Sequence, residues 1–358
     1  MVERKTPTPA IEALRRSTSH VWFGGDYNPE QWPEAVLLED IDLMLQAAVN
    51  TATVGVFSWA ALEPQPGEYD FGWLDAALDR LHSAGVKVIL ATPTASPPPW
   101  FSRLHPEALP VTPDGVRLIH GSRDTYNPAA PAYRDAARRI TRVLAERYGD
   151  HPALAMWHLH NEYGTVSYGP VTDVAFREWL QDAYGDLDRV NATWNTAFWS
   201  QVYSSWEDIH APQRTQYIPN PSHLLDFKRF SSDMLLRCLR DQLEIVREVT
   251  PGIPTTTNFM LPTWHHYDEW DFARELDVVS IDHYPEDGPS GDAQVAFAAD
   301  LARSFAGGRP WLLMEQATSL VYDYAGGRML AKAPGRMRRN TYQYLARGSF
   351  GSLFFQWR

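Results

Sequence analysis

An alternation constrains the fold of this chain more than any other feature of its sequence. Eight short apolar runs recur along it: VWFGGDYNP (21–29), TATVGVFSW (51–59), VKVILATPT (86–94), ALAMWHLHNE (153–162), IPTTTNFM (253–260), LDVVSIDHYP (276–285), PWLLMEQ (310–316) and GSLFFQW (351–357). Amphipathic stretches of helical period lie between them. Strands that alternate with helices make a parallel sheet, and eight such units close a barrel. The rival is an open doubly wound sheet, which carries a glycine-rich phosphate turn after its first strand; GGDYNPEQW has no such pattern. No linker, repeat or low-complexity segment divides the 358 residues. The expected fold is therefore α/β, a single (β/α)8 TIM barrel over residues 1–358. The aromatic-rich stretch 185–221 is expected to be an insertion over the barrel mouth. The eighth run reaches residue 357 and the chain ends at Arg358, so the eighth helix is expected to be missing.

Periodicity places several of the intervening helices. PEAVLLEDIDLMLQAA (33–48) has Pro33 in its first turn and an apolar set of Val36, Ile41, Leu43, Met44 and Leu45. A helix over 73–85 closes on Gly85, and one over 132–149 carries Ala136, Ile140, Val143, Leu144 and Tyr148 on one stripe. A long helix over 222–249 starts from a Ser222 cap and keeps Phe227, Phe230, Met234, Cys238, Ile245 and Val249 in register.

Charge and composition narrow the partners. A formal net charge of -12 argues against nucleic acid, which requires a basic face. The single cysteine, Cys238, makes neither a disulfide framework nor a cysteine-based zinc site, and reads as a small core hydrophobe. The first twenty residues have no apolar signal region and no run is long enough to cross a membrane, so a cytoplasmic protein is expected. Tryptophan is frequent, 14 residues, and Trp32, Trp59, Trp100, Trp199 and Trp264 stand beside loop signals, where aromatic faces suit sugars.

In a barrel of this kind function collects at the C-terminal strand ends. Those ends present Asp26, Glu63, Arg123, Asn161, Glu162, Asn258, Asp282, Tyr284, Glu315 and Gln356. Two glutamates terminate apolar runs, Glu162 on the fourth and Glu315 on the seventh. Glycoside cleavage needs two carboxyls, one to protonate the leaving oxygen and one to attack carbon or activate water. Desolvation favours the protonated acid, and hydrogen-bond donors favour the ionised partner. WHLHNEYG (157–164) also permits a metal reading. In an extended strand His158, His160 and Glu162 share a face, as a two-histidine, one-carboxylate triad would.

With these residues in view, the sequence resembles glycoside hydrolase family 42, the β-galactosidases, from about Phe23 to Arg358. GGDYNPEQWP, FSWAALEPQPGEYDFGWLD, HGSRDTYNP, HNEYG, TAFWSQ, TNFM, DHYP, MEQ and FFQWR follow in the family's order. The resemblance implies that Glu162 is the general acid/base and Glu315 the nucleophile of a retaining β-galactosidase. It implies that Asn161 holds the sugar 2-hydroxyl and that Arg123 helps to keep the nucleophile ionised. Tyr284 is then a tyrosine facing the nucleophile, and Trp199 an aromatic wall of the sugar pocket. The implied partner is a carbohydrate substrate, with no cofactor and no membrane. The segment after NEYG lacks the cysteines with which some members bind zinc, so no metal is expected there. Tyr322 and Tyr324 stand where members often have a tryptophan. Full-length relatives are expected to form a homotrimer and to continue past FFQWR, where a glutamate and a histidine join the galactose site. A related retaining activity, such as an α-L-arabinopyranosidase, and a non-catalytic sugar-binding fragment are the alternatives. Two expectations follow for geometry. The paired carboxyls of a retaining site lie about 5–5.5 Å apart. Without an eighth helix, the outer faces around Val21, Phe23, Leu353 and Phe355 lose their cover.

Overall fold

The computed structural model describes residue 14 and residues 20–262, 265–286, 288–323 and 327–358. Each of the eight apolar runs carries a barrel strand: β1 (Trp22–Tyr27), β2 (Thr51–Val54), β3 (Lys87–Thr92), β4 (Leu154–Leu159), β5 (Thr255–Thr256) with β6 (Asn258–Met260), β7 (Ser280–Asp282), β8 (Trp311–Glu315) and β11 (Ser349–Phe354). Two further strands, β9 (Leu320–Asp323) and β10 (Arg328–Ala331), pair antiparallel as a separate hairpin that the apolar pattern did not foreshadow.

The barrel sheet runs β5-β4-β3-β2-β1-β11-β8-β7-β6. Its two ends, β5 and β6, are halves of one interrupted fifth strand. β5 pairs with β4 and β6 with β7, on either side of Thr257, and all the strand pairs are parallel. The circle closes there, as a (β/α)8 TIM barrel.

Successive side chains of a strand point to opposite faces. On β8, Leu312 and Met314 belong to one buried cluster with Trp22, Ile89, Met156 and Leu353, whereas Trp311 and Leu313 belong to the larger cluster under the helices. Leu353 thus joins the smaller cluster with Trp22 and is fully buried, which corrects its expected place on an uncovered outer face. Phe354, its neighbour, meets Phe23 edge-to-face at 6.1 Å. Val21 and Phe355 remain exposed.

β1 is squeezed between β2 and β11. A Cβ on Gly24 would lie 1.8 Å from the Thr51 carbonyl oxygen, and one on Gly25 2.2 Å from that of Phe354. Only glycine fits either position.

The helix Glu34–Gln46 buries Leu37, Asp40 and Met44, with Leu43 and Leu45 exposed. Its inward face is therefore offset from the apolar set read from the sequence, because a polar residue, Asp40, occupies the centre of that face. Asp40 accepts hydrogen bonds from Tyr27, Trp357 and Arg358, joining this first helix to the exit of β11. The helix Pro221–Val249 starts one residue earlier than expected. Its cap is Asn220, whose side chain accepts from the Ser222 and His223 amides, and not Ser222. Between β4 and this helix lie the helices Pro170–Tyr184 and Leu187–Trp194, which share a separate apolar cluster of Phe176, Trp194, Ile209, Phe227 and Phe230. No helix among the described residues is long and apolar enough to cross a membrane.

Candidate active site

β4 stops at Leu159, and the backbone then leaves the extended region. His160 has φ 65° and Glu162 φ 48°. Left-handed backbone at a residue with a Cβ costs about 1–3 kcal/mol and needs support. Here the His160 amide donates to Thr92 Oγ1 and the Glu162 amide to Asn258 Oδ1, each at 2.8 Å. The two-residue alternation fails at this bend, so His158, His160 and Glu162 do not form a facial triad. His160 lies between Thr94 Oγ1 at 2.9 Å and the Tyr126 hydroxyl at 2.8 Å, with its ring stacked on Tyr163. His158 Nε2 meets Asn258 Oδ1 at 3.0 Å. Burial pushes the His158 pKa down to about 4, so the ring is neutral.

The bend aims Glu162 at the ends of β7 and β8. Glu162, Asp282 and Glu315 each bring one carboxylate oxygen to within 4.8 Å of the others, and all three are buried. Asn258, the first residue of β6, sits at their centre. Its Nδ2 donates to Asp282 Oδ2 at 2.5 Å, to Asn161 Oδ1 at 2.9 Å and to Glu315 Oε1 at 3.3 Å. Asn161 Nδ2 in turn donates to Glu162 Oε2 at 3.2 Å. Tyr284 donates its hydroxyl proton to Glu315 Oε2.

Arg123 forms its short ion pair with Glu162 and a second, at 3.1 Å, with Asp124. The resemblance implied a role toward Glu315. The guanidinium pairs directly with Glu162, and it lowers the Glu315 pKa through space. Donors thus already occupy an oxygen of Glu162 and both oxygens of Glu315. A guanidinium beside these carboxylates also disfavours a hard cation among them.

Burial and the neighbouring carboxylate of Glu162 push the Glu315 pKa up to about 8, against the pull of Tyr284, Arg123 and Asn258. Burial, Glu315 and Glu162 raise Asp26, in β1, and Asp282 well above the usual carboxylate range. The sequence argument expected a raised acid and an ionised partner. In the structure the raised groups are Glu315, Asp26 and Asp282, each held up by burial and by neighbouring carboxylates.

This is the constellation of a two-carboxyl glycosidase at the C-terminal end of a barrel, and comparison with known proteins agrees with it. The β-galactosidase model of glycoside hydrolase family 42 matches residues 26–358. The chain belongs to glycoside hydrolase family 42. A β-galactosidase from an Arthrobacter species is 50% identical over 98% of this family 42 chain, and one from Geobacillus kaustophilus is 43% identical over 95% of it. The crystal structure of the β-galactosidase from Bacillus circulans sp. alkalophilus superposes with a TM-score of 0.91 at 38% identity, over 96% of this chain. The chain spans about half the length of these relatives, 51% in each case.

Within this family 42 barrel, Arg123, Asn161, Glu162, Tyr284 and Glu315 come together as a connected set. Trp199 stands apart. It is 61% exposed, stacks on Phe198 at 4.7 Å, and walls a cleft of about 730 Å3 with Gln201, Tyr217 and Ile218. Its described contacts lie within its own segment and do not reach the carboxyls. Trp59 and Trp100 are buried against Glu63, whose carboxylate accepts from the Trp59 indole and the Gly67 amide and whose backbone carbonyl accepts from the Trp100 indole. Trp264 and Tyr324 lie outside the described residues. Asn258 and Asp282 were visible in the sequence as strand ends, but no sequence signal assigned them a task.

Proposed function

We propose that this chain carries the catalytic site of a retaining β-galactosidase that hydrolyses terminal β-D-galactosides in the cytoplasm. The carrying observation is the approach of the Glu162 and Glu315 carboxylates to within 4.8 Å. That nearest-oxygen approach suits the close carboxyl pair of a retaining site better than the wider pair of an inverting one. Glu162 protonates the glycosidic oxygen while Glu315 attacks the anomeric carbon. Glu162, now a base, takes a proton from water, and the water displaces Glu315 with a second inversion. Tyr284 and Asn258, both bonded to Glu315, support its charge before attack and its position afterwards. Arg123 and Asn161 hold Glu162 from the opposite side. The unpaired Cys238 suits a reducing compartment. The homotrimer is proposed for the protein at its natural length, where analytical ultracentrifugation tests it.

The experiment is leaving-group dependence. Glu162→Ala should slow poor leaving groups far more than nitrophenyl β-galactosides, by about 10²-fold or more in the ratio of rates, because activated leaving groups need little protonation. Azide should partly restore turnover and give β-galactosyl azide. Equal losses for all leaving groups, without azide product, would remove Glu162 from this role. Nitrophenyl α-L-arabinopyranoside, assayed alongside, tests the sugar preference.

A further inference from the structure

Asp282 closes β7 beside the two glutamates and is 1% exposed. Its Oδ2 accepts from Asn258 at 2.5 Å. Its Oδ1 is equally buried and meets no donor. Its closest acidic neighbours are acceptors as well: one oxygen each of Glu162 and Glu315 lies within 4.8 Å. The two glutamates are not equivalent partners. Tyr284 and Asn258 each take one oxygen of Glu315. On Glu162, Arg123 and Asn161 both use Oε2, which leaves Oε1 for a third partner. Two buried carboxyls that face each other without a donor are satisfied when one carries a proton and donates it to the other.

We propose that Asp282 is a positioning residue that shares one proton with Glu162 and serves as its proton store. The proposal rests on the acid–base reading of Glu162 given above. In the empty pocket the proton is on Asp282 Oδ1 and Glu162 is ion-paired with Arg123. When a sugar enters, the proton passes to Glu162 and Asp282 becomes the anion, held by the Asn258 amide. Glu162 then gives the proton to the glycosidic oxygen as the C1–O bond breaks and Glu315 bonds to C1. Forming that ester removes the negative charge of Glu315, so Asp282 and Glu162 are both ionised only while one neighbouring anion is absent. Water next gives a proton to Glu162, its oxygen bonds to C1, Glu315 leaves as carboxylate, and the proton returns to Asp282.

The charges facing Asp282 come from several elements. They are Glu315 on β8, Glu162 after β4, Asp26 on β1, and Tyr267 with the helix Glu269–Glu275. Tyr284 follows two residues after the end of β7 and Arg123 reaches in through Glu162. His158 is neutral, and His283 turns away to the Tyr344 hydroxyl. Nearly all of these favour a proton on Asp282, and the three carboxylates do so most strongly.

The test is Asp282→Asn in the protein at its natural length. Asparagine keeps the shape and donates to Glu162, but it cannot take up or release a proton. It also removes the second negative charge that the pair would carry on losing its shared proton. The basic limb of the kcat/KM–pH profile on nitrophenyl β-galactoside, which reports the free enzyme's essential acid, should move to lower pH by about one unit or more. A uniform loss at all pH values, with the limb in place, marks a structural role and overturns the proposal. If Asp282→Asn does not fold, Glu162→Gln supplies the second measurement. Loss of the partner charge should lower the pH at which the buried carboxylic C=O band disappears in difference infrared spectra, and an unchanged titration overturns the proposal. The two readings fail separately. Full turnover by Glu162→Ala on poor leaving groups sinks the acid–base assignment, whereas normal behaviour of that variant with an unmoved Asp282→Asn limb sinks only the shared proton.

Discussion

Glu315 occupies a site where an ionised carboxylate costs stability. Burial and Glu162 raise its pKa from 4.5 to about 8. A raised folded-state value contributes stability that is complete below the unfolded pKa and is lost as pH rises through the folded one. The window is therefore about pH 4.5 to 8, and the change across it is on the order of 5 kcal/mol. Glu315→Gln removes the charge and keeps the shape. It should be more stable than the natural chain by about 1–3 kcal/mol at pH 8, with the gap closing by pH 5. Urea unfolding of both chains at the two pH values checks this, and a gap independent of pH would contradict it. Legibility in the sequence also differs residue by residue. Glu162 and Glu315 could be picked out because each ends an apolar run, an abrupt change of polarity that needs no knowledge of neighbours. Asn258 and Asp282 act through the partners they face, and the hydrogen-bond partners of Asn258 lie 24 to 100 residues away along the chain.

β1 shows how tightly the barrel limits its elements. The carbonyls of β2 and β11 occupy the space where side chains of residues 24 and 25 would start. The nearest obstacle to Gly24→Ala is the Thr51 carbonyl, backbone that cannot swing aside, so the substitution should cost more than about 4 kcal/mol. The expected outcome is an insoluble chain or loss of the cooperative unfolding transition; near-native unfolding of Gly24→Ala would show that β1 can shift. The strands were legible because parallel strands covered on both faces read as unbroken apolar runs. The helix Glu34–Gln46 was read one face out because its inward residue Asp40 is polar and several of its leucines are exposed. The β9–β10 hairpin and the break at Thr257 left no sequence pattern, since two-to-four-residue strands are too short to show a period.

At the scale of the molecule, Leu38 and Leu45 are seven residues apart, hence on one helix face, and are each 52% exposed; Val21 and Phe355 are also exposed. Each 100 Å2 of apolar surface left in water costs about 2.5 kcal/mol. The 358-residue polypeptide should therefore self-associate, and its Leu38→Lys, Leu45→Lys variant should do so less. Sedimentation velocity at several concentrations compares them, and a monodisperse 358-residue chain would refute the expectation. The Asp40 junction also bears on the order of events during synthesis. Trp357 and Arg358 meet Asp40 across 317 and 318 residues of chain. β1 likewise finds one of its two neighbours only when β11 exists. While the ribosome works, β1 waits with one edge unpaired, and no arrangement of the earlier strands can close the circle. Barrel closure is therefore a late, non-local event, slow by the entropy of so long a loop. During that interval the nascent chain carries an open strand edge that a holding chaperone would have reason to cover.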